Sequence, residues 1–125
     1  MEAEETQKVL IILTHGLDTP WRIPTPFYYA TTAAAMDLEA TIYLTIKGTT
    51  VVRKGEAEKV VAKEGGVPVK TFIDQALDAG VKILACQASM ELSGIKPEDL
   101  MEGVKIAGAA TMWDLALDAS VVLTF

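Results

Sequence analysis

The sequence predicts an α/β domain with a mainly parallel sheet of about five strands and helices on both faces. Three observations carry this. Five short apolar runs are spaced along 125 residues. Helical patterns fill the gaps between them, and strands alternating with helices build parallel sheets by right-handed crossovers. The runs are apolar at successive positions, as strands covered on both sides require.

The first run is Lys8 to Thr14 (KVLIILT), a compact buried strand. Thr41 to Ile46 (TIYLTI) is the second, rich in β-branched residues. Val81 to Cys86, Val104 to Gly108 and Ser120 to Phe125 complete the set. Thr25 and Pro26 suit the N-cap and first turn of a helix running to about Leu38. Pro68 opens a second helix, with Phe72, Ile73, Ala76 and Leu77 on one face and Gly80 as its stop. A short helix over Gln87 to Leu92 ends at Gly94, and Pro97-Glu98-Asp99 starts a helical turn. Ala109 to Ala119 spaces Met112, Trp113, Ala116 and Leu117 as a helix does. Lys47 to Gly66 is charged and glycine-rich. It is expected to be a solvated connection with one surface helix over Glu56 to Ala62, and a lid or oligomer contact is the alternative.

Composition narrows the partners. Half of the chain is hydrophobic and 22% is charged, enough for a core within one domain over 1–125. Eleven basic residues against 17 acidic ones give a net charge of −6. A phosphate-binding protein needs a basic face, so nucleic acid and anionic membranes are not expected partners. The longest apolar run, Val9 to Leu13, is far short of the roughly 20 residues of a membrane span. The polar start, Met1 to Gln7, has no character of a leader, and a cytoplasmic location is expected. A mean hydropathy of +0.30 points to more apolar surface than a small monomer hides, hence a homo-oligomer.

Ligands of open parallel sheets bind beyond the carboxyl ends of the strands. On that edge lie the one histidine, His15, and the one cysteine, Cys86. Cys86 closes a buried strand just before a helix start, where free N–H groups favour a thiolate. Ser89, three residues on, is within reach of the sulfur. The competing reading makes Cys86 a small buried hydrophobe. His15 either relays a proton or caps a loop. Its distance to Cys86 depends on whether the first and third strands are neighbours. One cysteine cannot close an internal disulfide, and the chain lacks paired spacing for a metal. No phosphate loop, dinucleotide fingerprint or hydrolase elbow occurs. Asp114, Asp118, Glu98 and Asp99 suit solvated helix surfaces. Trp21 and Trp113 suit core or subunit contacts.

KILACQASMELSGIKPEDL, from Lys82 to Leu100, resembles the DsrE/DsrF-like family of small sulfur-relay proteins. Its ACxxSMxLxGI stretch is the most specific part. VLIILTHGLDTP, AMDLEATIYLTIKG and KIAGAATMWDLALDASVVLTF extend the similarity over about Lys8 to Phe125. The resemblance implies a three-layer α/β/α sandwich that assembles as a trimer, tetramer or hexamer. It implies that Cys86 carries sulfane sulfur as a persulfide or thiosulfonate, without a cofactor or metal, and hands it to TusA-like or rhodanese-like partners. Gln87, Ser89 and His15 are the neighbours expected to bind the sulfur species. Some relatives have a second cysteine eight residues after the first; here Gly94 stands there. Two other functions compete: a non-catalytic oligomeric subunit, and a thiol oxidoreductase using the CxxS spacing of Cys86 and Ser89.

Overall fold

The computed structural model describes residues 6–125, so the acidic start over residues 1–5 lies outside the described residues. The strands are β1 (Lys8–Leu13), β2 (Glu39–Leu44), β3 (Lys82–Cys86), β4 (Val104–Ala107) and β5 (Val121–Thr124). The helices are α1 (Pro24–Ala35), α2 (Val69–Asp78), α3 (Gln87–Leu92) and α4 (Ala109–Asp118). All five strands are parallel, in the order β4-β3-β2-β1-β5.

This order fixes where the helices lie. From β1 to β4 the chain steps in one direction across the sheet, and right-handed crossovers keep those connections on one face. The step from β4 to β5 runs back the other way, so α4 crosses the opposite face. The main core agrees with this division. Ile11, Leu13, Ile42, Leu44, Ile83 and Ala85 pack with Phe27 and Ala30 of α1 and Ile73 and Ala76 of α2. The other face carries Leu10, Thr41 and Tyr43, all buried outside that cluster. Only α4 is left to cover them, and it has no fully buried residue of its own.

One helix cannot cover a five-stranded face. β5 is exposed along its whole length and β4 is exposed at Lys105 and Ile106, so full two-sided cover is confined to the central strands. On the α1 side, Val9, Tyr28, Tyr29, Met36, Val121 and Leu123 line an open apolar groove of about 330 Å³. Trp21 and Trp113 are 65% and 60% exposed, so neither is a core residue.

Two expected elements differ. α1 starts at Pro24 after Ile23 as N-cap, not at Pro26 after Thr25, and ends at Ala35 rather than near Leu38. Pro24 takes the first helical position and Pro26 the third, both within the turn whose N–H groups have no helical partner. Asp37, at φ 63°, then turns the chain into β2. The segment after β2 is no solvated surface helix. Its short 3₁₀ turns cover Ile46–Val52 and Ala57–Lys59, and Gly48, Thr49, Val51, Val52 and Ala57 are buried. Gly48 makes this possible, since a Cβ there would lie 2.2 Å from the Leu13 carbonyl oxygen. The α2 stop is as expected, with Gly80 at φ 89°. No helix among the described residues is long and apolar enough to cross a membrane.

Ile46 turns the chain out of β2 at φ 56°, a conformation costly for a β-branched side chain. Its side chain is 60% exposed, so it gains little from burial there. Ile46→Asn is expected to stabilise the fold by about 1 kcal/mol, the relieved strain exceeding the burial lost. Urea unfolding checks this, as a higher midpoint with an unchanged slope.

Candidate functional site

The carboxyl edge of the sheet has a crevice where neighbouring strands send their chains to opposite faces. β3 and β4 are such neighbours. The chain leaving β3 runs to the α1 and α2 side, where Met90 and Ile95 join the main core. The chain leaving β4 runs to the α4 side. Cys86 and Ala107 are register partners at this point, so the crevice opens at the cysteine.

Side chains alternate along a strand, and register partners in a parallel sheet share a face. Tyr43 pairs with Leu84, so Tyr43, Leu84 and Cys86 point to the α4 side. The next same-face residue beyond Tyr43 on that side is Thr45. Tyr43 is 3% exposed and Ser89 6% exposed, whereas Cys86 is half-buried. Three hydroxyls act on the sulfur: Tyr43 from β2, Thr45 from just beyond it, and Ser89 from α3.

The hydrogen bonds of Ser89 are directional. Its Oγ accepts from the Ile46 amide at 2.8 Å and lies 3.1 Å from Thr45 Oγ1. Either hydroxyl can donate to the other, so the pair keeps one proton for the sulfur. Ser89 thus ties the strained turn at Ile46 to the helix that follows Cys86. Burial opposes ionisation of the Cys86 thiol. Hydrogen bonds from the Tyr43 hydroxyl, the Ser89 hydroxyl and amide, and the Thr45 hydroxyl outweigh it and bring the thiol down to about 7. The same contact acts on Tyr43. Burial first, and then donation to Cys86, hold its phenol well above the ordinary tyrosine range.

Of the residues expected from sequence, Ser89 meets Cys86. Gln87 is exposed at the start of α3. His15 does not join them. β2 separates β1 from β3, so the strands are not neighbours, and two strand spacings amount to about 10 Å. His15 instead lies with Nδ1 3.5 Å from Thr19 Oγ1. The following Asp18 pairs with Lys47 at 3.0 Å, which holds its carboxyl below the usual carboxylate range. Tyr43 and Thr45 were hidden from the sequence reading because TIYLTI reads as plain strand. The signal for them is register: once β2 lies beside β3, every second residue at the carboxyl end of β2 shares the face of Cys86. Among the described residues, no three of His, Cys, Asp and Glu gather as metal ligands.

Known proteins share this architecture. Escherichia coli YchN superposes with a TM-score of 0.81 at 20% identity, covering 96% of this chain and 100% of that one. MTH1491 of Methanobacterium thermoautotrophicum gives a TM-score of 0.72 at 15% identity, covering 97% and 100%. In sequence, the chain is 35% identical over 105 residues to the uncharacterized protein MJ0760 of Methanocaldococcus jannaschii. That match covers 83% of this chain but 38% of the relative, so the chain spans well under half of that protein's length. It is 24% identical to the sulfur carrier protein DsrE2 of Allochromatium vinosum, over 95% of this chain and 98% of the relative. The family model of the DsrE/DsrF-like proteins matches residues 7–125. With the five parallel strands and the cysteine at the crevice between β3 and β4, this match assigns the chain to the DsrE/DsrF-like family.

Proposed function

We propose that the chain is a cytoplasmic sulfur carrier that holds sulfane sulfur on Cys86 and passes it to a partner protein. The observation that carries this reading is the convergence of two buried hydroxyls, Tyr43 and Ser89, on one half-buried sulfur. Burying hydroxyls is costly unless each finds a good acceptor, and an ionised sulfur is a strong one. The likeness to a sulfur carrier of Allochromatium vinosum supports the same reading.

Loading is an exchange. The Cys86 thiolate attacks the outer sulfur of a donor persulfide, a new S–S bond forms, and the donor leaves as its thiolate. With tetrathionate, the thiolate attacks an inner sulfur, the central S–S bond breaks, Cys86 becomes an S-thiosulfonate (Cys86–Sγ–S–SO3⁻) and thiosulfate leaves. One cysteine suffices, because each transfer involves two proteins. A TusA-like or rhodanese-like protein is the donor or acceptor that the family resemblance points to. The exposure of Gln87 at the start of α3 supports its contact with the bound species, and the strand between β1 and β3 argues against a part for His15.

Exposed apolar surface supports assembly into a homo-oligomer, a trimer, tetramer or hexamer. Trp113 and Leu117 on α4 and the apolar groove beside β5 lie uncovered, as surfaces that meet another chain do.

Three measurements test the carrier and its assembly. Mass spectrometry after incubation with polysulfide, thiosulfate or tetrathionate is expected to find an adduct on the wild type and none on Cys86→Ser. A Cys86 that also stays silent toward DTNB in the folded state overturns the carrier reading. Only the thiolate reacts, and the thiol of Cys86 is lowered to about 7, so iodoacetamide labelling is expected to rise with pH and reach half its plateau near pH 7. A profile centred at the ordinary cysteine value contradicts the hydroxyl cradle. Light scattering at two concentrations is expected to give a multiple of 13.4 kDa, and the monomer mass at both refutes assembly.

A further inference from the structure

We infer that Tyr43 decides which sulfur of a Cys86 persulfide an acceptor attacks. The inference rests on the carrier reading above and adds to it a positioning residue for the unloading step.

Geometry sets Tyr43 apart from the other donors. Its ring lies on the α4 side of β2, in register with Ile12 of β1 and Leu84 of β3. These neighbours are apolar, and a phenylalanine would fill the same space. The hydroxyl therefore adds nothing to packing and costs desolvation unless it has a strong acceptor. The acceptor is the Cys86 sulfur. Ser89, in contrast, also braces the Ile46 turn. Ala107 of β4 lies beside Cys86, and Lys105, two residues earlier on that strand, pairs with Leu84. The groups that touch the sulfur from β2 and α3 are all uncharged hydroxyls and an amide.

A persulfide, Cys86–Sγ–SH, offers an acceptor thiolate two targets. Attack on the outer sulfur forms the acceptor's S–S bond and breaks the Sγ–S bond. The electron pair returns to Sγ, and the proton stays on the transferred sulfur. Attack on Sγ instead forms a mixed disulfide between Cys86 and the acceptor, and hydrosulfide leaves. The first route is productive transfer; the second loses the sulfur. Thiol exchange favours the path whose leaving sulfur better holds negative charge. Tyr43 donates to Sγ, so it stabilises the charge that develops there on the first route alone.

The test loads wild type and Tyr43→Phe with polysulfide and challenges both with glutathione. Mass spectrometry then counts protein–glutathione disulfide against free Cys86, and a sulfide assay measures hydrosulfide. Tyr43→Phe is expected to raise the mixed-disulfide share and the released sulfide several-fold. The thiolate midpoint, followed at 240 nm with Cys86→Ser as blank, is expected to move upward. An unchanged share overturns the inference. Replacing tyrosine with 3-fluorotyrosine strengthens the donor without altering the fold and is expected to lower the share; no change there likewise overturns it. If polysulfide leaves wild-type Cys86 unmodified, the carrier reading falls instead. The role of Tyr43 is then read from a glutathione disulfide made on Cys86 with oxidised glutathione. Several-fold slower release of the Cys86 thiolate in Tyr43→Phe supports that role, and equal rates overturn it.

Discussion

The hydrogen bonds that converge on the Cys86 sulfur organise the rest of the molecule around them. Burial alone would keep this thiol protonated and inert. Tyr43, Ser89 and Thr45 reverse that outcome, and each depends on a different part of the fold. Tyr43 requires β2 to lie beside β3 in a register that places it on the cysteine's face. Ser89 requires α3 to begin directly after Cys86. Thr45 requires the chain to turn sharply at Ile46, and Ser89 holds the amide that makes this turn possible. A shift of one residue in the β2–β3 register would send the tyrosine to the opposite face.

Backbone strain and tight packing serve the same end. An isoleucine at φ 56° is a poor choice for stability alone. Gly48, pressed against the Leu13 carbonyl, lets the segment beyond it fold into the core as Val51 and Val52. The end of β2 is thereby clamped from both sides, which fixes Tyr43 and Thr45 relative to β3. The crevice between β3 and β4 follows from the single reversal of direction at the step to β5.

Much of this was legible in the chain. The five strands lie where apolar runs stand, with ends moved by one or two residues, as at Thr14 and Ile46. α3 matches its expected span of Gln87 to Leu92, because Gly94 marks the stop and Ser89 and Met90 bury inward. Periodicity could not give strand order, and so could not show that β2 separates His15 from Cys86. For the same reason it missed Tyr43, whose role is a matter of register between strands forty residues apart. The segment after β2 misled by composition. Its charges and glycines suggest solvent exposure, whereas two adjacent valines and one close-packed glycine draw it inward. Local signals record local structure well; contacts across the sheet are set by tertiary packing.

The chemical character of the cradle has one more consequence. A thiolate held by a neighbouring lysine or imidazolium feels its partner through a field that dissolved ions weaken. The sulfur of Cys86 is held by dipoles at contact range, from groups that carry no net charge. Its ionisation is accordingly less sensitive to ionic strength than that of an ion-paired thiolate.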